Sequence, residues 1–491
     1  MNRQRIHFFV NGKAHQAEGE LAFLSLSQYL RDHLRLVGTK IVCAEGDCGA
    51  CSVLMGRVLP DGSRIQYRPV DSCIVLMPQV DGTHIVTVEG LREESGELSP
   101  VQKAMVDCHG SQCGFCTPGF VATITGLVEE TPRSNGCIDR DTASLGLSGN
   151  LCRCTGYEQI LEACDSINTC EVKRMSERYE ETEILNGLKS SSSSEVSLSN
   201  HHKKLFIAKS VASALEFKRE HQNARVISGC TDIGVQRTHG RFHDQVWLTI
   251  SHVDDLRAVE EFDHDDRPSL RIGAATPWTD VLNELDERFI EFDPILKRFG
   301  SPQIRNIGSI GGNLVNASPI ADSIPFLYVA DAQLELSSTE RGKRVVPIVD
   351  FYKGYKDVDL QPDELLTSIV LPLPQPADHF KLYKLSKRRD MDISTMTAAF
   401  RLTIQNDHIV DARVALGGVA ATVLRMHQIE DLLTLQPFSE KTLAEAGERA
   451  SEMIKPLTDV RGRADYRKTL ARNIFIKCFH DLSEFPMGMP A

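Results

Sequence analysis

Fourteen cysteines stand in the 491-residue chain, and twelve precede residue 171: Cys43, Cys48, Cys51, Cys73, Cys108, Cys113, Cys116, Cys137, Cys152, Cys154, Cys164 and Cys170. Thiols at this density point either to a disulfide framework or to metal ligation. Cys43-Ala-Glu-Gly-Asp-Cys48-Gly-Ala-Cys51 has the C-x4-C-x2-C spacing of plant-type ferredoxins, with Cys73 as the fourth candidate ligand. A [2Fe–2S] cluster needs four thiolates, and Gly46 and Gly49 let a loop fold three of them inward while its N–H groups face the anionic sulfurs. Structural zinc favours two separate C-x2-4-C pairs, which this run does not form.

A second set is Cys113-Gly-Phe-Cys116 with Cys152-Arg-Cys154. Each pair stands just before an expected helix, where the helix dipole and free N–H groups favour negative charge. Spacing alone leaves zinc open here. Cys108, Cys137, Cys164 and Cys170 form no comparable motif and read as buried or free thiols.

Composition narrows the setting. A net charge of −12 gives no electrostatic footprint for nucleic acid, and 41% hydrophobic with 25% charged residues is ordinary globular material. The most apolar run, Cys73 to Met77, stops at Pro78, far short of a membrane span, and Met1 to Val10 lacks the apolar core of a signal peptide. The expected setting is cytoplasmic, where thiols stay reduced and the cysteine count asks for metal.

The elements that must position these thiols are legible in outline. Ile6, Phe8 and Val10 alternate up to the hairpin dipeptide Asn11-Gly12, Leu21 to Leu34 has helical spacing, and Cys51 to Val58 and His84 to Glu89 read as strands. Residues 1–90 are thus a small mixed sheet gripping one helix. Ser99-Pro100 and Thr117-Pro118 mark helix starts, and a third helix begins near Tyr157, so residues 91–170 form a helical unit. Residues 171–204, charged and carrying Ser190 to Ser194, read as a flexible linker, with an exposed helix from about Val172 to Leu188 as the alternative. A domain over 205–379 carries two glycine segments, Val226 to Gly234 and Ser309 to Asn313, neither of them G-x-G-x-x-G, so a Rossmann site is not indicated. Residues 380–491 read as a small α+β domain: a hairpin around Asn406-Asp407, then helices over Thr442 to Ile454 and Tyr466 to Phe479.

The order of C-x4-C-x2-C, QCGFCTPG and GNLCRCTGY resembles the two-cluster module of the xanthine dehydrogenase and molybdenum hydroxylase family over residues 1 to about 168. VISGCTDIGV and IRNIGSIGGNLVNASPIAD are similar to the same family's flavin domain. The resemblance implies a multidomain α+β chain: a β-grasp, ferredoxin-like [2Fe–2S] domain, a four-helix [2Fe–2S] domain, a vanillyl-alcohol-oxidase-type FAD-binding domain and a C-terminal α+β flavoprotein domain. It implies that Cys113, Cys116, Cys152 and Cys154 hold a second [2Fe–2S] cluster beside that of Cys43, Cys48, Cys51 and Cys73. It further implies that Val226, Ile227, Ser228, Gly229, Cys230, Thr231, Asp232 and Ile233, with Ser309, Ile310, Gly311, Gly312 and Asn313, hold the pyrophosphate and adenosine side of FAD. Phe299 takes the place of the aromatic beside the isoalloxazine, Asp322 that of a motif acid, and Leu366 and Lys384 those of later flavin contacts. Met391 replaces an acid that the family pattern leads one to expect, which leaves the nicotinamide contacts unassigned.

The same resemblance implies a small electron-transfer subunit without acid, base or nucleophile of its own for hydroxylation. The chain ends without a region for molybdopterin, so hypoxanthine or xanthine would be hydroxylated on a large molybdopterin-binding subunit, in a heterotetramer of two small and two large chains. Electrons would pass through both clusters to FAD and on to NAD. Two other readings are a sister hydroxylase acting on an aldehyde or another N-heterocycle, and a stand-alone flavin and iron–sulfur reductase.

Overall fold

The computed structural model describes residues 2–179, 181–200, 202–285 and 287–484. They divide into two compact units, Met1–Asp255 with Ser301–Ser309, and Leu256–Gly300 with Ile310–Ala491. Among the described residues no helix is long and apolar enough to cross a membrane.

The first unit opens with β1 (Ile6–Val10) and β2 (Lys13–Ala17), joined at Asn11 and Gly12, whose positive φ angles of 49° and 81° are what a two-residue hairpin turn demands. With β3 (Ser52–Val58), β4 (Ile65–Asp71) and β5 (His84–Val86) they form one sheet in the order β2-β1-β5-β3-β4, in which β1 and β5 run parallel. The helix expected over 21–34 is broken into three pieces: a 3-10 turn at Gly19–Phe23, one α-turn at Leu26–Gln28 and a π-turn at Tyr29–His33. Ser25 and Gln28 close the α-turn with a capping box. Phe23, Leu26, Tyr29 and Leu30 still bury against Ile6, Phe8 and Val10, and the β-grasp core is complete.

Four helices come next: α1 (Pro100–Asp107), α2 (Thr117–Glu130), α3 (Arg140–Gly146) and α4 (Glu158–Asp165). The Ser99–Gln102 capping box and the proline at the first position start α1, as the sequence predicts. Helix α3 supplies the fourth member; its signal is the Asp139 cap, whose carboxylate accepts from the Thr142 N–H.

The described residues of 171–204 are folded rather than a flexible linker, with helix where the alternative reading puts it at Met175–Arg178 and Glu181–Ser192. Val172 and Met175 join the core of the helical domain, and α5 (Glu181–Ser192) turns Ile184 and Leu188 into it. β6 (Val196–Asn200) then pairs with β7 (Lys203–Ile207). Averaged composition hides the reason: few apolar residues are present, but their spacing puts them on one face of a helix and one face of a hairpin. The serine run is held by Arg3, whose guanidinium donates to Ser194 Oγ (2.8 Å) and the Ser194 carbonyl (3.0 Å).

β8 (Arg225–Ile227), α6 (Thr231–Thr238) and β9 (Val246–Thr249) complete the unit, with strand order β6-β7-β9-β8. The second unit has a sheet of β10 (Val259–His264), β11 (Arg267–Gly273), β12 (Gln333–Ser338), β13 (Gly342–Pro347) and β14 (Leu365–Pro372), ordered β10-β11-β14-β12-β13. Its C-terminal part pairs β15 (Asp378–Leu385), β16 (Met396–Gln405), β17 (His408–Gly417) and β18 (Leu424–Arg425) in chain order. The hairpin turns at Asn406 and Asp407, both left-handed, and the expected helices are Glu440–Met453 and Ala464–Ser483.

Asp81 ties three stretches of the first unit together. Its buried carboxylate accepts from Arg3 (2.8 and 2.9 Å), from Lys209 Nζ (2.9 Å) and from the His7 N–H (3.1 Å). Burial alone would raise this carboxyl, but the Arg3 hydrogen bonds and the Lys209 ammonium outweigh it and hold it at about 2, against an ordinary 3.8. A depressed carboxyl stabilises the fold above its ordinary value and ceases to do so as pH falls through its folded value. Asp81→Asn is therefore expected to cost about 3–5 kcal/mol at neutral pH, and calorimetry should show the gap to the natural chain narrowing as pH falls toward about 2.

Candidate functional site

The first thiol set is built on a loop and two strand ends. Between Lys40 and Ala50 the backbone takes left-handed angles at Ala44, Gly46 and Gly49 (φ 57°, 77° and 64°), which curl Cys43 and Cys48 inward. Pairing of Ser52 with Asp71 in the β3–β4 ladder sets Cys51 beside Cys73. The result is a connected group: Cys43 hydrogen-bonds with Cys48 and with Cys73, and Cys73 with Cys51. The Glu45 N–H also donates to Cys43 Sγ (3.4 Å).

These contacts decide the electrostatics. Hydrogen bonds from Cys48 and Cys73 carry the Cys43 thiol far below its ordinary range, while the same bonds, joined by burial, drive Cys48 and Cys73 far above theirs. Cys43 gives up its proton easily while Cys48 and Cys73 keep theirs, so thiolates at all of these sulfurs together require a cationic centre among them. Asp71 lies behind, fully buried; burial raises its carboxyl to about 7 although Ser52 Oγ (3.2 Å) and Cys51 Sγ (3.7 Å) donate to it.

The second set spans two helix starts. Cys116 is the N-cap of α2, and Cys152 and Cys154 precede Tyr157, whose left-handed backbone (φ 74°) leads into α4. Cys116 hydrogen-bonds with Cys152, and Cys113 with Cys154. Burial, then the bond to Cys152, pushes Cys116 up to about 12. Among the described residues no group of three or more His, Cys, Asp or Glu is arranged about a single ion. The thiols approach in pairs, which is the donor set for two bridged irons taking two thiolates each. Cys164 is buried with its thiol raised to about 12 by that burial, and Cys108, Cys137 and Cys170 form no group of their own.

The two sets touch. The Leu151 N–H donates to the Cys48 carbonyl (2.9 Å), and Asn150 Nδ2 to the Gly49 carbonyl (3.1 Å). A Cβ on Gly119 would stand 2.1 Å from that same Gly49 oxygen, so α2 meets the loop backbone to backbone. Gln303, from the short helical turn Pro302–Arg305, inserts its amide here. Sequence reasoning missed Asn150, Gly119 and Gln303 as site residues; Gln303 lies 153 positions from its partner Asn150, and no motif spans such a gap.

Of the residues matched to FAD, Val226 and Ile227 end β8, Ser228 to Cys230 make the turn, and Thr231, Asp232 and Ile233 open α6. A Cβ on Gly229 would lie 2.0 Å from the Ile307 carbonyl oxygen, so this turn packs on the segment leading to Ser309. Cys230 is buried, donates to Gln79 Oε1 (2.8 Å) and is pushed up to about 12 by burial, the state of an inert thiol. Ser309 belongs to this first unit, and the other matched residues to the second. Ile310, Gly311, Gly312 and Asn313 start the helix Ile310–Val315, the Gly311 N–H donates to the Ala274 carbonyl (2.8 Å), and Asn313 Oδ1 accepts from Ser323 Oγ (2.6 Å). Phe299 lies edge-on to Trp278 at 5.0 Å. Asp322 takes hydrogen bonds from Lys384 Nζ (2.6 Å) and Ser394 Oγ (2.5 Å), and Leu366 is packed into the core. Among the described residues Ser228 Oγ, in the first turn, is a buried hydroxyl with no hydrogen-bond partner. An unpaired hydroxyl in a glycine-bearing turn fits an oxygen of a pyrophosphate.

Three domain families match in chain order: a [2Fe-2S] binding domain over 87–165, the FAD binding domain in molybdopterin dehydrogenase over 199–374, and the CO dehydrogenase flavoprotein C-terminal domain over 381–482. Xanthine dehydrogenase of Oryza sativa subsp. japonica is 30% identical over 96% of this chain and 39% of its own length. Aldehyde oxidase 3 of Mus musculus is 29% identical over 98% of this chain and 41% of its own. Among solved structures, a chain of reconstituted CO dehydrogenase from Oligotropha carboxidovorans aligns with a TM-score of 0.52 and 26% identity, covering 55% of this chain and 94% of that one. The chain thus spans about two fifths of the length of the curated relatives it matches.

Fold, thiol sets and matched domains define an iron–sulfur flavoprotein. Over the stretches matched, the chain is similar to the [2Fe-2S] binding domain, the FAD binding domain in molybdopterin dehydrogenase and the CO dehydrogenase flavoprotein C-terminal domain.

Gly119→Ala places a methyl group 2.1 Å from the Gly49 oxygen and must push the first thiol loop away from α2. Iron analysis and calorimetry should show a lower melting temperature and partial loss of iron, with the first set losing more than the second.

Proposed function

We propose that this chain is the electron-transfer subunit of a xanthine dehydrogenase, taking electrons from hypoxanthine or xanthine hydroxylation on a partner molybdopterin-binding chain and delivering them to NAD. When bound, two [2Fe–2S] clusters and FAD supply the redox chemistry. Cys43, Cys48, Cys51 and Cys73 hold one cluster, Cys113, Cys116, Cys152 and Cys154 the other. Val226 to Ile233 and Ser309 to Asn313 cradle the pyrophosphate side of FAD, with Phe299, Asp322, Leu366 and Lys384 placing the remainder.

The observation that carries this reading is the ordering of the thiol sets and the first flavin segment within one unit. Cys113 and Cys154 are exposed, whereas Cys48, Cys51 and Cys73 are buried. Helix α6 begins at the Gly229 turn, packs Gly234 on Ile74 beside Cys73, and ends with Thr238 Oγ1 donating to the Ala44 carbonyl (2.7 Å). Electrons would enter at the second set, whose Cys113 and Cys154 are exposed, pass the first set and leave toward the flavin segment. The protein's part is to fix these positions and keep water from the inner set.

The entry face carries exposed apolar side chains: Phe115 and Leu151, next in the chain to Cys116 and Cys152, are 49% and 52% exposed. An apolar patch of this kind suits a stable partner interface. The large chain docks there, in a heterotetramer of two small and two large subunits. The second reading, favoured by the likeness to aldehyde oxidase 3, keeps this electron route and changes only the substrate of the partner, to an aldehyde or another N-heterocycle.

The anaerobically purified chain should hold about four irons, two for each cluster. Cys116→Ser should remove one cluster signal and leave the other. NADH should bleach the flavin of the isolated chain, and xanthine only after the large chain is added. Xanthine bleaching the lone chain at an enzymatic rate would overturn the division of labour, and reduction of the pair by an aldehyde but not by xanthine would select the second reading.

A further inference from the structure

Gln303 belongs to neither thiol set, yet its side chain is fully buried where the two meet. Its amide nitrogen lies 2.9 Å from Asn150 Oδ1 and 3.2 Å from both Ser52 Oγ and Thr123 Oγ1. The partners fix the direction of these bonds. Ser52 Oγ already donates to Asp71, Thr123 Oγ1 to the Gly119 carbonyl, and Asn150 turns its amino group to the Gly49 carbonyl. All three therefore offer Gln303 lone pairs, and only a donor satisfies them.

Each acceptor sits on a thiol-bearing element. Ser52 follows Cys51, Thr123 lies on the helix that Cys116 opens, and Asn150 stands two residues before Cys152. The backbone bond from Leu151 N–H to the Cys48 carbonyl crosses between the sets, and the amide of Gln303 clamps the loops that make it. Gln303 Oε1 is buried without a hydrogen-bond partner among the described residues and fills the space a Cβ on Gly149 would need, within 2.2 Å. A buried amide kept with one end unsatisfied is a poor choice for packing alone, since an apolar side chain of that size avoids the penalty.

We propose that Gln303 is a positioning residue that sets the separation of the two thiol sets, and through it the rate of electron passage between them. The inference rests on the reading that each set holds a [2Fe–2S] cluster. The step it governs would be the passage of one electron between the clusters that the two thiol sets would hold, one being oxidised as the other is reduced, with no bond broken and no proton moved. Such a rate depends steeply on distance and on the hydrogen-bonded path, both of which the amide holds in place.

The test uses the full chain and three readouts: iron content, the magnetic interaction between the two reduced clusters by electron paramagnetic resonance, and the rate of electron redistribution after rapid reduction. Gln303→Met keeps length and volume but donates nothing, and Gln303→Glu faces three acceptors with a fourth. Both should keep their iron, show an altered magnetic interaction, and slow redistribution by about ten- to a hundredfold, the order of loss when a reacting group is misplaced by about 1 Å. Thr123→Val, which removes one acceptor at constant volume, should show the same change in smaller measure and serves if the Gln303 variants fail to fold. Full iron with natural magnetic interaction and rate in these variants overturns the proposal, as does loss of iron from one set, which would make Gln303 a support for cluster binding. Wild-type chain purified without iron overturns the cluster reading itself, an outcome iron analysis separates from the rest.

Discussion

The N-terminal unit depends on one close approach of backbone to backbone. The Gly49 carbonyl accepts from Asn150 and occupies the place a side chain on residue 119 would take. Thiols of both sets stand close to this point in the chain: Cys48 and Cys51 flank Gly49, Cys116 stands three residues before Gly119, and Cys152 follows Asn150 by two. Two domains with separate cores, one a sheet and one a helix bundle, are thereby held so that their reactive loops face each other. Glycine is required because only a bare Cα admits a carbonyl oxygen at that distance.

Crowded thiols impose the second constraint. A fold that gathers four sulfurs cannot ionise them all by hydrogen bonding, because each thiolate formed raises the cost of the next. The opposite shifts of Cys43 and its neighbours express that conflict, and it is relieved by positive charge at the centre. The same physics appears with opposite sign at Asp81, where a buried carboxylate is kept ionised by two cations and in turn anchors Arg3 and Lys209. In both places, charge that would be prohibitive alone is stable in company, so these clusters hold separate stretches of chain in register.

Helix α6 links the thiol chemistry to the nucleotide-binding pattern. Its first residues follow the Gly229 turn and its last reach the Cys43–Cys48 loop, so displacement at one end is transmitted along a rigid element to the other. Gly234 lets the helix lie directly on Ile74, where a Cβ would meet backbone at 2.6 Å. An apolar cuff of Ile74, Val235 and Ile304 around Cys51 and Cys73 belongs partly to the cluster domain and partly to segments matched to the flavin family.

By itself the sequence determined the local chemistry and its local scaffolds. Thiol spacing, the capping boxes, the Asn11-Gly12 and Asn406-Asp407 turns and the strand alternation depend on neighbours in the chain, and all are in place. It misjudged residues 171–204, because averaged composition counts polar residues without asking which face they occupy, and Ile184 and Leu188 on one face are enough to fold α5. It ran the Leu21–Leu34 helix as one piece because periodicity does not register the changes of winding that packing on the sheet imposes. Only the tertiary structure decided that Gln303 meets Asn150, Ser52 and Thr123, that Gly119 abuts Gly49, and that Asp322 pairs with Lys384. These contacts join residues separated by tens to hundreds of positions, and such pairings are set by how whole domains close on one another, which no local pattern of residue types encodes.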